Sequence, residues 1–133
     1  MRYLLDTNIW IFYLKNQDSS LGRKLKRTAA AEITICSIVL AELLHGARKY
    51  ERRDDRVARV LRTLSPFPSL PFDDRAAGEY AIIRDQLETE GRSIGPNDLL
   101  IAAIARSHEL ILVSNNTEFR RVNGLTVEDW SVS

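Results

Sequence analysis

Short apolar runs that stop abruptly on polar side chains constrain this chain most. Tyr3-Leu4-Leu5 ends on Asp6-Thr7-Asn8, and Leu110-Ile111-Leu112-Val113 ends on Ser114-Asn115-Asn116. Neither run has the polar alternation of a strand with one wet face, so both read as strands buried on both sides. Strands of that kind form parallel sheets with helices on the faces, and ligands sit beyond the carboxyl ends of the strands. Asp6 and the Ser114–Asn116 tip both fall at that edge.

The intervening sequence alternates accordingly. Ile9 to Leu14 starts a helix at once, capped by Asp6 or Thr7. Leu21, Leu25 and Ala29 set a helical spacing over Asp18–Ala31, with a basic outer face. Glu32–Cys36 is β-branched and reads as a second strand. Ser37 is the expected cap of a helix running to about Arg53, and Asp54 or Asp55 caps the next. The prolines from Pro66 to Pro71 leave room only for a short edge strand at Leu70–Phe72. A long helix from Asp73 ends before Gly91, and a mostly apolar helix runs from Pro96 to about His108. A helical turn at Glu118-Phe119 and a last strand at Leu125–Val127 complete an α/β pattern with a mainly parallel sheet.

A length of 133 residues suits one domain and one core. The longest apolar stretch, Leu99–Ala105, is too short to span a bilayer, and no signal-peptide region precedes Asp6. The lone Cys36 fits a reducing cytoplasm and a buried strand position. A net charge of +1 gives no global attraction to nucleic acid, so any attraction is local. His45 and His108 read as helix-surface residues.

Two acids stand in apolar helical context, Glu42 within Val39–Leu44 and Asp98 in the first turn of the Pro96 helix. Taken singly, Asp6 reads equally as a cap, Asp98 as a partner of the helix dipole and Glu42 as a wet helix edge. If the fold brings them together with Asp6, their like charges repel unless a cation sits between them. Hard oxygen ligands without a His or Cys cluster favour Mg²⁺ or Mn²⁺, which suits phosphodiester hydrolysis. At 100° per residue, Gly46, Lys49 and Arg53 share a face with Glu42. From Arg48 to Arg62 seven basic residues stand against three acids, an excess a nucleic-acid backbone would use.

Four segments carry a resemblance: Leu4–Asn8, Ser37–Leu43, Pro96–Ala102 and Leu112–Phe119. In this order they resemble a PIN domain, and more narrowly the toxin ribonucleases of VapBC toxin–antitoxin pairs. The likeness covers essentially the whole chain, 1–133, as one PIN domain. It implies a three-layer α/β/α sandwich with a mainly parallel sheet and a Mg²⁺-dependent endoribonuclease of the cytoplasm, cutting a structured RNA such as a transfer or ribosomal RNA. It also implies a homodimer and a VapB-type antitoxin that covers the site. By the same resemblance Asp6 and Asp98 are metal ligands, Glu42 completes the acidic site and Thr7 supports it. Where the family often has a fourth acid this chain has Asn116, with Glu118 nearby as a substitute. Lys49 and Arg53 are the expected substrate contacts. Trp10, Phe12 and Tyr13 offer a surface for a partner or, equally, ordinary packing. A haloacid-dehalogenase-like site would want an acid at Asn8, and a receiver domain an acidic pair on an element before Asp6's strand. A PIN-like DNA nuclease and a non-catalytic interaction module remain as alternatives.

Overall fold

The computed structural model describes residues 1–132. Its sheet has five parallel strands: β1 (Tyr3–Leu5), β2 (Ile33–Cys36), β3 (Ser69–Leu70), β4 (Ile111–Val113) and β5 (Val127–Glu128), in the order β3-β2-β1-β4-β5. Tyr3 pairs with Ile33 on one side and Ile111 on the other, so β1 is central and the strand order reverses between β1 and β4. Leu4, Leu5, Ile33 and Leu112 are fully buried, as runs without polar alternation require. Each contributes roughly 1.5–3 kcal/mol through burial.

Between strands run α1 (Thr7–Lys15), α2 (Ser20–Arg27), α3 (Ser37–Arg48), α4 (Arg53–Leu64), α5 (Asp74–Thr89) and α6 (Pro96–Ser107). A 3₁₀ turn covers Thr117–Arg121. Right-handed crossovers place α1 to α4 on the face passed on the way out to β3, and α5 and α6 on the opposite face on the return to β4. The packing agrees: α1 meets α3, α3 meets α4, and α5 lies along α6, which makes the α/β/α sandwich expected from the sequence. Ala102, Ala103 and Ala105 of α6 are fully buried and allow that close approach.

Local chemistry sets the element ends. Asp6 caps α1 by accepting from the Ile9 N–H at 3.3 Å, and Asp73 caps α5 through Ala76 at 3.0 Å. Several boundaries differ from the sequence reading, including the last strand, which lies at Val127–Glu128 and not Leu125–Val127. Cys36, not Ser37, is the residue before α3, and it supplies no side-chain cap. Helix α3 stops at Arg48, not Arg53, because Arg52 takes a left-handed conformation (φ 60°) and α4 starts at Arg53. Asp54 and Asp55 therefore lie inside the first turn of α4, where the helix dipole favours them, and Asp55 pairs with Arg52 at 2.9 Å. The edge strand β3 sits at Ser69–Leu70, with the Pro68 carbonyl accepting from Ile35 N–H at 2.9 Å. Trp10 and Tyr13 belong to the core, Trp10 lying against Phe67 with ring centroids 5.4 Å apart; Phe12 stays 41% exposed.

Candidate active site

The β1/β4 switch point builds the site. In a doubly wound sheet a crevice opens where neighbouring crossovers leave toward opposite faces. Asp6 follows β1 there, its N–H bonded to the Val113 carbonyl of β4 at 3.0 Å. Ser114 and Asn116 follow β4. Helix α3 brings Glu42 and the first turn of α6 brings Asp98.

Each carboxylate is held by neutral donors. Ser114 Oγ donates to Asp6 Oδ2 at 2.5 Å, across 108 residues of sequence. Thr7 Oγ1 donates to Glu42 Oε1 at 2.6 Å, and Asn97 Nδ2 reaches Glu42 Oε2 at 3.4 Å. Asn116 Nδ2 donates to Asp98 Oδ2 at 3.2 Å. The Asn116 amide has only one sensible orientation, because its Oδ1 accepts from Glu118 N–H at 3.0 Å and so starts the 3₁₀ turn. Asn116 N–H in turn donates to Ser114 Oγ at 3.0 Å, which ties the two supports together.

Burial and like charge act on this group together. Asp6 is 4% exposed, and its carboxyl is pushed up to about 6 by burial, against the Ser114 and Ile9 hydrogen bonds; the charges of Asp98 and Glu42 add to the rise. Asp98 is also raised, by burial and then by Glu42 and Glu118, and is held back by Asn116. No salt bridge to a basic residue relieves any of these acids among the described residues. Nor, among them, do three acids close into a ready-made cage as they stand. The donor set is nevertheless all hard oxygen, its hydrogen bonds are neutral, and its charges repel. Those three properties fit a divalent cation held with several of its waters.

From Glu42 a groove of about 590 Å³ runs between α1, α3 and α4. Ile11, Leu14, Leu43 and Val60 are among its apolar walls, and Lys15, Lys49, Arg56 and Arg59 bring positive charge. A Cβ on Gly46 would meet nothing within 4 Å, in keeping with open space beside Glu42. Lys49 lines the same groove as Glu42. Arg53 is not among the groove's lining residues, since the chain breaks at Arg52 before it. Sequence reasoning missed Ser114 and Asn97 as supports, and Tyr50, Arg56 and Arg59 as groove residues. The only signal for the arginines was the basic excess of this segment.

A parallel α/β sandwich with acids gathered at its switch point is an arrangement found in nuclease folds. A profile of the PIN domain matches residues 3–125. The chain is 40% identical over 132 residues to the tRNA(fMet)-specific endonuclease VapC of Shigella flexneri, covering 98% of this chain and 99% of that one. It is 38% identical to ribonuclease VapC2 of Haemophilus influenzae, covering 98% of each. Among solved structures, the DNA-bound VapBC of Salmonella typhimurium superposes with a TM-score of 0.92 at 35% identity, covering 98% of both chains. The chain belongs to the PIN-domain family, among its VapC-type ribonucleases.

Proposed function

We propose that this chain is the toxin of a type II toxin–antitoxin pair, an endoribonuclease that hydrolyses phosphodiester bonds in RNA. The observation that carries the reading is the meeting of Asp6, Glu42 and Asp98 from three separate elements at one switch point, each held by a neutral donor. Asp6, Asp98 and Glu42 would hold a divalent ion, Mg²⁺ or Mn²⁺, which would supply an activated water and neutralise charge on the phosphate. Thr7 and Asn97 orient Glu42, and Ser114 orients Asp6. Asn116 acts as a donor that aims Asp98 and leaves the fourth negative charge to Glu118, which faces Asp98 closely enough to raise it. Lys49 and Arg53 meet phosphates flanking the cut.

The substrate is a structured RNA; relatives named for tRNA(fMet) cleavage support transfer RNA as the first to test. The partner is a VapB-type antitoxin, as in the VapBC complexes of similar fold, and it contacts the exposed apolar residues of α1, Ile11 and Phe12. The chain acts as one PIN domain in a homodimer in the cytoplasm. Among the described residues no helix is long and apolar enough to cross a membrane.

The test is cleavage of total RNA and of purified transfer RNA with Mg²⁺, repeated with EDTA and with Asp98→Asn. Discrete products that vanish in both controls are expected. Cleavage that survives EDTA, or that falls on DNA and spares RNA, overturns the reading.

A further inference from the structure

Tyr50 is exposed over 63% of its surface, an unusual state for a tyrosine beside an apolar groove. It is not loose. The Arg56 guanidinium lies over its ring, 5.3 Å from the centroid. Arg56 also donates from Nε to the Glu51 carbonyl at 3.2 Å. Arg59, one turn on, donates to the Leu14 carbonyl at the end of α1 at 2.5 Å, which locks α4 against the opposite wall. The result is an exposed aromatic ring on the groove wall with a cation over one of its faces.

The ring stands in line with the site. Glu42 is six residues before the end of α3 at Arg48, roughly 9 Å at 1.5 Å per helical residue, and Tyr50 stands two residues beyond that end. Glu42 and Tyr50 line the same groove, with Lys49 beside it. Neither Lys15 nor Lys49 joins an ion pair among the described residues, so both charges are available to an anion. Basic walls with an aromatic plate are what an unpaired nucleic-acid strand uses: phosphates follow the charges and bases stack on the ring. We propose that Tyr50, braced by Arg56, is a stacking ledge for an unpaired base of the RNA, a few nucleotides from the bond cut beside Glu42. The proposal rests on the ribonuclease reading and adds the path of the strand and the single-stranded character of that part of the substrate.

Stacking and charge leave different marks, which makes the ledge testable. Binding of short oligoadenylate and oligouridylate is measured by fluorescence anisotropy across a salt series, in an Asp98→Asn chain that does not cut. Tyr50→Ala is expected to weaken oligoadenylate about tenfold and oligouridylate less, and Tyr50→Phe to restore both. The salt slope should not change in either, since the ring neutralises no phosphate, whereas Lys49→Ala should lower it by about one unit. Unchanged affinity in Tyr50→Ala, a weakening that Tyr50→Phe does not restore, or no binding of either oligomer by the parent chain overturns the ledge. So does a Tyr50→Ala chain that keeps its RNA affinity and instead sheds its antitoxin, because the ring would then be a protein contact. Failure of the ribonuclease reading is seen separately, as absence of metal-dependent RNA cleavage by the chain with Asp98 and Tyr50 intact.

Discussion

Asp6 does two jobs with one carboxylate. Oδ1 starts α1 by capping Ile9, and Oδ2 lies in the acidic crevice on Ser114. The second role strains the fold electrostatically. Its folded-state pKa of about 6 lies above the usual 3.8, so its contribution is fully favourable below about pH 4 and fades as the pH rises through 6. The difference amounts to about 3 kcal/mol. Asp6→Asn keeps an acceptor for Ile9 and removes the charge. Metal-free Asp6→Asn protein should therefore melt higher than the parent at pH 8, with the gap closing near pH 4, while RNA cleavage is abolished. A lower midpoint at pH 8 would mean that Asp6 stabilises the fold as an anion. In the parent chain, calorimetric Mn²⁺ affinity should fall as the pH drops below about 6, because protons then compete for Asp6. Asp6, Glu42 and Asp98 were readable in the sequence because each interrupts apolar text. Ser114 and Asn97 were not, because hydroxyl and amide side chains are ordinary at strand and helix ends, and only the folded geometry aims them at a carboxylate.

At the scale of elements, hydrophobic runs located the central strands and the helices, and the misplacements have local causes. The α3–α4 break at Arg52 fell inside a basic run whose periodicity continues unbroken, and a left-handed arginine leaves no mark in composition. It matters for function, since it separates Arg53 from the face of Glu42 and turns Arg56 and Arg59 toward the groove. Lys49 and Arg53 thus lie on different sides of that break. The double Lys49→Ala, Arg53→Ala variant should flatten the salt dependence of RNA binding by about one unit for each phosphate left without its cation, and weaken different RNAs alike. An unchanged slope would assign both residues to the solvated surface. The start of α2 is fixed differently. A Cβ on Gly22 would come within 2.0 Å of the Gln17 carbonyl oxygen, and backbone cannot yield cheaply. Gly22→Ala should lower stability by about 1–3 kcal/mol in urea unfolding, although alanine is the better helix former. A gain in stability would show that the 17–22 turn is free to move.

For the whole molecule, the sheet edges limit how copies meet. The edge strands β3 and β5 have two residues each, and Pro68 and Pro71 flank β3, so neither edge offers a row of backbone groups to another sheet. A dimer must use helices. Tyr50, Leu61 and Ile82 are the large exposed side chains on or beside α3 to α5, and Leu61 and Ile82 are free of the groove. Light scattering should report a dimer at micromolar concentration, and Leu61→Glu with Ile82→Glu should shift it to monomer without changing the circular dichroism. A monomer in the parent chain would remove the dimer from the proposal.

The bond from Ser114 to Asp6 has a consequence in time. During synthesis at about 5–20 residues per second, the 108 residues between them take roughly 5 to 20 seconds to appear. Until β4 has left the ribosome and slotted beside β1, Asp6 has no Ser114 and Asp98 has no Asn116. The growing polypeptide is then expected to be inactive, since two of its acids lack the side chains that hold them. A chain cut back to residues 1–110 should show no cleavage at any metal concentration, because it lacks Ser114, Asn116 and the strand that pairs with β1.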